Sequence, residues 1–309
     1  MRDLLSAVGN TPMVELRHLA PSPRMRLYAK LESANPSGSV KDRIAREMLV
    51  GARASGALEA GQTILEPSSG NTGISLAMIG RLMGHSVRIV MPDNTTVERE
   101  QLLRLYGAEI VPSPGVEGSN GAIRLAQELS AADPSLFMPY QYGNPGNPRA
   151  HEEGTGPEIL AAVPEIDVFV AGLGTGGTLT GVGRFLKRER SGTRVIAAEP
   201  FPGEQVHGLR SLEEGFVPPV LDASVLDDRF LVGNRDAVIG VRRLMQEEGI
   251  FAGLSSGAAL HVALRAAAEM EEGSVVVLLA DGGWKYLSTG IYDRDLDELQ
   301  DELERSLLW

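Results

Sequence analysis

One pattern recurs along the sequence and constrains the fold more than any other feature. A short β-branched apolar run is followed by a loop rich in Gly, Ser and Thr, and then by a helical pattern. The apolar runs lie at 63–66, 87–91, 168–171, 195–198 and 275–279. Strands that alternate with helices predict an α/β fold with largely parallel sheets covered on both faces. Ligands in such folds bind at the carboxyl ends of the strands, where these loops lie.

The Gly-Asn-Pro-Gly-Asn-Pro segment at 143–148 is the best candidate for a connection between two α/β units. We therefore predict a smaller domain over 41–149 and a larger domain formed by 1–40 and 150–309. A cleft between two such domains is a common place for a ligand.

Composition excludes several classes of function. Lys and Arg number 29 and Asp and Glu number 41, so the formal charge is −12, which disfavours nucleic-acid binding. No apolar run approaches the roughly 20 residues that span a bilayer, and the first residues do not resemble a signal peptide. We therefore expect a cytoplasmic protein without a membrane or nucleic-acid partner.

Metal and thiol chemistry are also disfavoured. The sequence has no cysteine, which excludes disulfides, thiolate metal sites and a thiol nucleophile. The five histidines are scattered without metalloprotease spacing, so we expect no metal site. The His-Glu-Glu segment at 151–153 is interpreted as a solvated polar loop.

The first cluster with chemical potential is the segment 35–43. A Pro/Gly turn leads into a helical pattern, and Ser39 with Asp42 resembles a capping box. Lys41 then falls in the first helical turn, where the helix dipole disfavours a cation. Such a lysine favours its neutral form and is a candidate nucleophile. The alternative is a surface lysine beside Asp42.

Three further loops precede helices. In the loop 68–73, backbone N–H groups, hydroxyls and the Asn71 amide predict a receptor for a small anion such as a carboxylate, or else a capped polar turn. In the loop 172–178, glycines let the backbone approach a phosphate at a helix start; the alternative is a tight turn. In the loop 253–257, Ser255 offers a hydroxyl to a ligand ring nitrogen or caps the next helix.

The loop 172–178 also fits a dinucleotide-binding pattern. Gly172, Gly174 and Gly177 occupy the G-x-G-x-x-G places, and Glu199 ends the next strand where a ribose-binding acid is expected. An NAD-dependent dehydrogenase is therefore an alternative from another reaction class. It leaves the clusters around Lys41 and Asn71 without a function.

Taken together and in this order, the four clusters resemble the fold-type II pyridoxal-phosphate enzymes, and among them the cysteine synthases, or O-acetylserine sulfhydrylases. The resemblance covers nearly the whole chain. It implies a tryptophan synthase β-like fold of two three-layer α/β domains, with pyridoxal 5'-phosphate in the cleft between them. It further implies that the larger domain binds the cofactor, that the smaller one is mobile and binds the substrate carboxylate, and that the enzyme is a homodimer.

The resemblance also implies residue roles. Lys41 would hold the cofactor as a Schiff base and move the α-proton, and β-elimination would give an aminoacrylate to which sulfur adds. Asn71 would contact the cofactor 3′ oxygen, and Ser255 the pyridine nitrogen, which a serine leaves largely unprotonated. The residues implied to cradle the phosphate are Gly174, Thr175, Gly176, Gly177 and Thr178. The residues implied to grip the substrate carboxylate are Ser68, Ser69, Asn71, Thr72 and Gln141.

A narrower resemblance lies in the stretch 206–218. It is similar to actinobacterial cysteine synthases that use O-phosphoserine and take sulfur from a small, ubiquitin-like, thiocarboxylated carrier protein. Arg210 fits such a substrate because a guanidinium binds a phosphate bidentately; the alternative is a loop arginine paired with Glu213 or Glu214. Other functions left open are an acetylserine enzyme that uses free sulfide, a cystathionine β-synthase, a serine/threonine dehydratase and a non-catalytic relative.

The C-terminal segment is the last candidate feature. Residues 293–305 form an acidic helical pattern, followed by Leu307, Leu308 and Trp309. The resemblance implies that this tail covers the active site. The alternative is a terminal helix that docks on its own domain or on a dimer mate.

Overall fold

The structure is a computed structural model that describes residues 3–204 and 206–299. Its strands, in chain order, are β1 (Met13–Glu15), β2 (Met25–Leu31), β3 (Thr63–Pro67), β4 (Val87–Pro92), β5 (Glu109–Ser113), β6 (Leu136–Phe137), β7 (Val168–Gly172), β8 (Arg194–Pro200), β9 (Asp228–Val232) and β10 (Gly273–Leu279). Its α-helices are α1 (Lys41–Ser55), α2 (Asn71–Leu82), α3 (Val97–Leu105), α4 (Gly118–Ala132), α5 (Gly146–Ala150), α6 (Gly156–Ala162), α7 (Gly177–Glu189), α8 (Asn234–Glu248) and α9 (Leu254–Ala268).

The smaller sheet has four parallel strands in the order β5-β4-β3-β6. Side chains of β3 alternate between two hydrophobic cores, because successive residues of a strand point to opposite faces. Ile64 packs with residues of α1 and α2 on one face, whereas Leu65 packs with Ala122 and Ala126 of α4 on the other. Helices therefore cover both faces of this sheet.

The larger sheet has six strands in the order β1-β2-β10-β7-β8-β9. Only the edge strand β1 is antiparallel to its neighbour; the other pairs are parallel. One face packs against α8 and α9 and the other against α6 and α7. The predicted α/β fold with largely parallel, doubly covered sheets is confirmed.

The start of α1 differs from the predicted capping box. The helix begins at Lys41, as expected, and the Ser39 hydroxyl accepts the Lys41 N–H at 3.3 Å. The Asp42 carboxylate instead accepts the Ser37 N–H at 2.7 Å, the Ser37 hydroxyl, and the Ser75 hydroxyl at 2.6 Å. The capping-box prediction is therefore wrong at Asp42, because contacts from α2 recruit this carboxylate into the core.

The segment 138–167 carries the chain from the smaller sheet to the larger one and contains α5, a π-helical turn at His151–Thr155 and α6. His151 is fully buried between the hydroxyls of Thr155, at 2.9 Å, and Thr178, at 3.2 Å. Burial lowers the pKa of His151 well below its usual value, so the ring is neutral. The interpretation of this segment as a solvated loop is wrong for His151.

Membrane-spanning helices and clusters of metal-ligating side chains are both absent from the part of the chain that the structure describes. No helix within residues 3–204 and 206–299 is long and apolar enough to cross a bilayer. In the same residues, His, Asp and Glu side chains form no group of three or more that could hold a metal ion. The predicted domain limits at 41–149 remain a prediction; the two sheets themselves lie within 63–137 and within 13–31 plus 168–279.

Candidate active site

A cavity of about 230 Å³ lies between the two sheets, at the loops that follow the carboxyl ends of their strands. One buried water needs only about 15 Å³ of such space, so this is a ligand-sized site and not a packing gap. The predicted site residues that line it are Lys41, Ser68, Ser69, Asn71, Thr72, Gln141, Gly174, Thr175 and Arg210. Residues far apart in the sequence are thus brought to one cleft, as predicted.

Lys41 enters this cavity from the first turn of α1. Burial lowers the pKa of the Lys41 ammonium to about 8, although the carboxylates of Asp281 and Glu32 raise it. At neutral pH about one tenth of such an amine is unprotonated. Lys41 is therefore prepared for nucleophilic attack on a carbonyl group.

The loop 68–73 surrounds the start of α2. The Ser68 hydroxyl oxygen accepts the N–H groups of Gly70, at 3.2 Å, and Gly73, at 3.0 Å, and so caps the helix while its own hydrogen stays free to donate. The Thr72 hydroxyl donates to Gln141 Oε1 at 2.6 Å. Hydroxyls and a helix N-terminus therefore face the cavity, which suits a carboxylate.

Gln141 is held in place by Glu66, a buried residue of β3. The Glu66 carboxylate accepts the backbone N–H groups of Tyr140, at 2.8 Å, and Gln141, at 2.9 Å. The Gln141 amide also donates to the Pro67 carbonyl at 3.1 Å. Burial raises the pKa of Glu66 to about 8, while the two N–H groups lower it. The end of β3 thus positions both Gln141 and the loop 68–73.

The glycine loop after β7 forms the opposite wall. Gly176 has φ +84°, a conformation that favours glycine, and a Cβ on Gly174 would lie 2.6 Å from the Gly208 carbonyl oxygen. The Thr175 hydroxyl accepts from Asn147 Nδ2 at 3.0 Å and from the Gly177 N–H at 3.4 Å. Helix α7 begins at Gly177, so its positive end points to this loop.

Other predicted site residues lie behind the cavity wall. Thr178 contacts His151, and a Cβ on Gly177 would overlap Asn147. Ser255 is buried in the first turn of α9, beside Gly208, a cavity residue whose added Cβ would lie 3.6 Å from Ser255 Oγ. The structure therefore brings these residues to the site but does not place them on the cavity surface.

Arg210 also lines the cavity. Its side chain is buried, its Nη1 donates to Asn120 Oδ1 of α4 at 3.0 Å, and its guanidinium lies 4.8 Å from the Phe216 ring and 5.5 Å from the Tyr142 ring. No carboxylate within residues 3–204 and 206–299 forms an ion pair with it. The alternative pairing with Glu213 or Glu214 is not observed among these residues.

Comparison with known proteins identifies the family. A family model described as pyridoxal-phosphate dependent enzyme matches residues 4–282. The cysteine synthase of Staphylococcus aureus strain Mu50 is 43% identical over 305 residues, which cover 95% of this chain and 97% of the relative. This chain belongs to the cysteine synthase family of pyridoxal-phosphate dependent enzymes.

Solved structures of the family share the fold over almost the entire chain. The O-ureido-L-serine synthase structure has a TM-score of 0.90 at 41% identity and covers 97% of this chain and 99% of its own. The cysteine synthase of Entamoeba histolytica has a TM-score of 0.88 at 33% identity and covers 99% of this chain and 96% of its own.

The cofactor of the family is pyridoxal phosphate, and the site residues fit it. Lys41 supplies the amine that an aldehyde requires, and the loop 174–177 supplies side-chain-free backbone and a helix start for a phosphate.

The nicotinamide alternative does not fit the family or the geometry. The Glu199 carboxylate, which would have bound a ribose, is fully buried and accepts from the Leu212 N–H at 2.6 Å and from Arg229 Nη1 at 3.0 Å. Glu199 therefore shapes the loop that carries Arg210. Its position on β8 was identified correctly, but its function is structural.

Sequence reasoning missed several polar residues at this site. Asp281 follows β10 and accepts from Asn71 Nδ2 and from the Tyr286 hydroxyl, both at 2.8 Å. Lys285 is fully buried and donates to Asn71 Oδ1 at 2.7 Å. Arg99 of α3 donates to His207 Nδ1 at 2.9 Å across the cleft. The position of Asp281 just after a central parallel strand was the available signal.

Proposed function

We propose that this enzyme makes L-cysteine from O-phospho-L-serine by β-replacement, with sulfur from a thiocarboxylated carrier protein. The bond between the β-carbon and the phosphate oxygen breaks, phosphate leaves with the electron pair, and the thiocarboxylate sulfur forms a carbon–sulfur bond at the same carbon. Water then cleaves the bond between this sulfur and the carbonyl carbon of the carrier, which frees cysteine and leaves a carboxylate on the carrier. Bound pyridoxal phosphate supplies the electron withdrawal that acidifies the α-carbon. The chain's residues bind and orient the substrate and move the proton.

The observation that carries the phosphoserine proposal is the environment of Arg210. A buried guanidinium without a carboxylate partner is costly unless an anion reaches it. Asn120, the Tyr142 hydroxyl and the Phe216 ring hold the Arg210 guanidinium at the cavity wall. A guanidinium has five N–H donors, so donors remain for a ligand. A phosphate ester is dianionic and matches this fork, whereas an acetyl ester carries no charge.

The remaining wall residues would orient the amino acid. The Ser69 and Thr72 hydroxyls, the Gln141 amide and the start of α2 are placed to bind its carboxylate. The carboxylate would then lie at the loop 68–73 and the phosphate at Arg210, in the same cavity that Lys41 lines. The Lys41 amine would take the α-proton as general base, a role that its lowered pKa favours.

Substrate preference tests this proposal. We expect Arg210→Met to lower kcat/KM for O-phosphoserine by roughly 10- to 100-fold, the loss of one or two charge-assisted hydrogen bonds. For O-acetylserine, kcat/KM should change less than about threefold, because no charge on that substrate needs the guanidinium. Release of phosphate and of acetate measures the two reactions.

Two controls sharpen the test. Arg210→Lys keeps the charge and should retain part of the phosphoserine activity. Arg184→Met removes a surface arginine that pairs with Asp222 and should leave kcat/KM for both substrates unchanged. Equal losses for both substrates in Arg210→Met would contradict the phosphoserine assignment. The acetylserine alternative would be favoured if the unchanged enzyme used both substrates equally well and Arg210→Met altered kcat/KM for neither of them.

The sulfur donor is tested separately. Cysteine formation from phosphoserine is compared with a thiocarboxylated carrier protein and with sulfide at matched sulfur concentration. We expect the higher rate of cysteine formation with the carrier protein. If only sulfide supports the reaction, the carrier protein is not the sulfur donor, whereas the phosphoserine assignment is unaffected.

A further inference from the structure

A buried polar chain lies directly behind the cavity wall and is not used by the mechanism above. It joins Lys285, Asn71 and Asp281: Lys285 Nζ donates to Asn71 Oδ1 at 2.7 Å, and Asn71 Nδ2 donates to Asp281 Oδ2 at 2.8 Å. Lys285 is 0% exposed and Asp281 is 1% exposed. Of the three, only Asn71 lines the cavity.

This arrangement fixes the orientation of the Asn71 amide. An ammonium is only a donor, so it must face the amide oxygen, and the amide nitrogen must face Asp281. The reverse orientation would set Asn71 Nδ2 against the ammonium and Oδ1 against the carboxylate, and both contacts would be repulsive. The nitrogen carries two hydrogens, of which Asp281 takes one. The second is left for a ligand in the cavity.

The surroundings of Lys285 show why it acts through Asn71 and not directly. The ammonium also donates to the Gly38 carbonyl, at 3.3 Å. Burial lowers the pKa of the Lys285 ammonium to about 8, while the carboxylates of Asp281 and Asp42 raise it and Arg99 lowers it. A buried cation in such a position strengthens the hydrogen bonds it makes, because the surrounding dielectric is low.

We propose that Lys285 is a positioning residue whose ammonium orients and polarises the Asn71 amide, so that Asn71 Nδ2 donates a stronger hydrogen bond to the 3′ oxygen of pyridoxal phosphate. A stronger donor at this oxygen favours its anionic form. The inference rests on the proposed contact between Asn71 and the 3′ oxygen and is independent of the choice between phosphoserine and acetylserine.

The absorption spectrum of the cofactor-loaded enzyme, without substrate, tests this proposal. The bound cofactor absorbs at longer wavelength when its 3′ oxygen is anionic than when that oxygen is protonated. We expect Lys285→Met to raise the ratio of the short-wavelength to the long-wavelength form by about fivefold, the effect of losing the net contribution of one hydrogen bond. Lys285→Arg, which keeps the charge, should restore a spectrum close to that of the unchanged enzyme.

Further variants keep the test decisive. Lys285→Gln removes the charge but still donates to Asn71 Oδ1, so it should give an intermediate ratio and serves if Lys285→Met does not fold. Asn71→Ala should change the spectrum itself, and adding Lys285→Met to it should change little more, since coupled residues are not additive. Lys187→Met is the matched control, because Lys187 lies near the end of α7 and donates to the Thr193 carbonyl and to Asp227, none of which lines the cavity.

Two results would overturn the inference, and they are distinguishable. If Asn71→Ala changes the spectrum but Lys285→Met and Lys285→Gln do not, Lys285 does not act through Asn71. If Asn71→Ala leaves the spectrum unchanged, the proposed contact of Asn71 with the 3′ oxygen fails first.

Discussion

At the scale of single residues, burial alone does not select the reactive amine of this enzyme. Burial lowers the pKa values of both Lys41 and Lys285 to about 8. Their surroundings differ, because Lys285 is engaged by Asn71 and Gly38 behind the wall, whereas Lys41 lines the cavity. We therefore propose that access to the cofactor, and not basicity, makes Lys41 the site of covalent attachment.

The lowered pKa of Lys41 predicts how cofactor uptake depends on pH. At pH 7 about one tenth of the Lys41 amines are neutral, compared with about one in 3,000 for a lysine of ordinary pKa 10.5. A depressed lysine pKa means that the proton is lost as pH rises through about 8. The rate of covalent attachment of pyridoxal phosphate to the apoprotein should therefore rise about tenfold per pH unit below 8 and level off above it.

Stopped-flow absorbance on the apoprotein measures this rate between roughly pH 6 and pH 10, a range that brackets the expected midpoint near pH 8. Lys41→Arg, which keeps a cation but has no comparable nucleophile, should show no attachment. A rate that continues to climb tenfold per unit from pH 8 to pH 10 would mean that the amine has an ordinary pKa.

Among the secondary-structure elements, the end of β3 positions most residues of the proposed substrate site. Glu66 fixes the backbone of residues 140 and 141, Pro67 accepts from Gln141, and Ser68 caps α2. Three consecutive residues, 66–68, thus connect a buried strand to the loop 68–73. Precision at the site depends on this strand being rigid.

Removing the Glu66 carboxylate should therefore affect both stability and binding. Glu66→Ala leaves two buried N–H groups without acceptors, each worth about 1–3 kcal/mol, so the free energy of unfolding should fall by about 3 kcal/mol. The KM for the amino-acid substrate should rise because Gln141 is released. Denaturant titration and steady-state kinetics measure the two effects.

Two variants serve as references for this experiment. Glu66→Gln retains one carbonyl oxygen and should lose less stability than Glu66→Ala. Glu109→Ala removes a surface carboxylate of β5 that pairs with Arg88 and should change stability by less than about 1 kcal/mol. An unchanged KM in a folded Glu66→Ala enzyme would show that Gln141 is not positioned through Glu66.

The elements that the sequence predicted are those with local causes. The pattern of apolar run, glycine loop and helix predicts β7 and α7 within a few residues, and α7 starts at Gly177 because Gly176 supplies the positive φ before it. The engagement of Asp42 by Ser75 and the burial of His151 under Thr178 depend on contacts between distant segments. No local pattern contains that information, so these two interpretations failed.

At the scale of the whole molecule, the two sheets meet through polar contacts across the cavity. Arg99 on α3 bonds His207, and Asn120 on α4 bonds Arg210, so each bond joins a helix of the smaller sheet to the loop after β8. The order of strands and loops in the sequence predicted that these loops share a cleft, and the family resemblance predicted that Arg210 and Gln141 lie in it. Neither predicted that Asn120, Asp281 or Lys285 lies at the site, because the partners of these residues are set only when the two sheets pack.

We propose that the aldehyde of pyridoxal phosphate is joined to Lys41 in the cleft between the sheets. Borohydride reduction of the cofactor-loaded enzyme, followed by peptide mass mapping, locates that bond directly. The account predicts a single reduced adduct on Lys41 and none on Lys285, the other lysine whose pKa is lowered near the site. An adduct on Lys285, or no adduct on fully loaded enzyme, would contradict it.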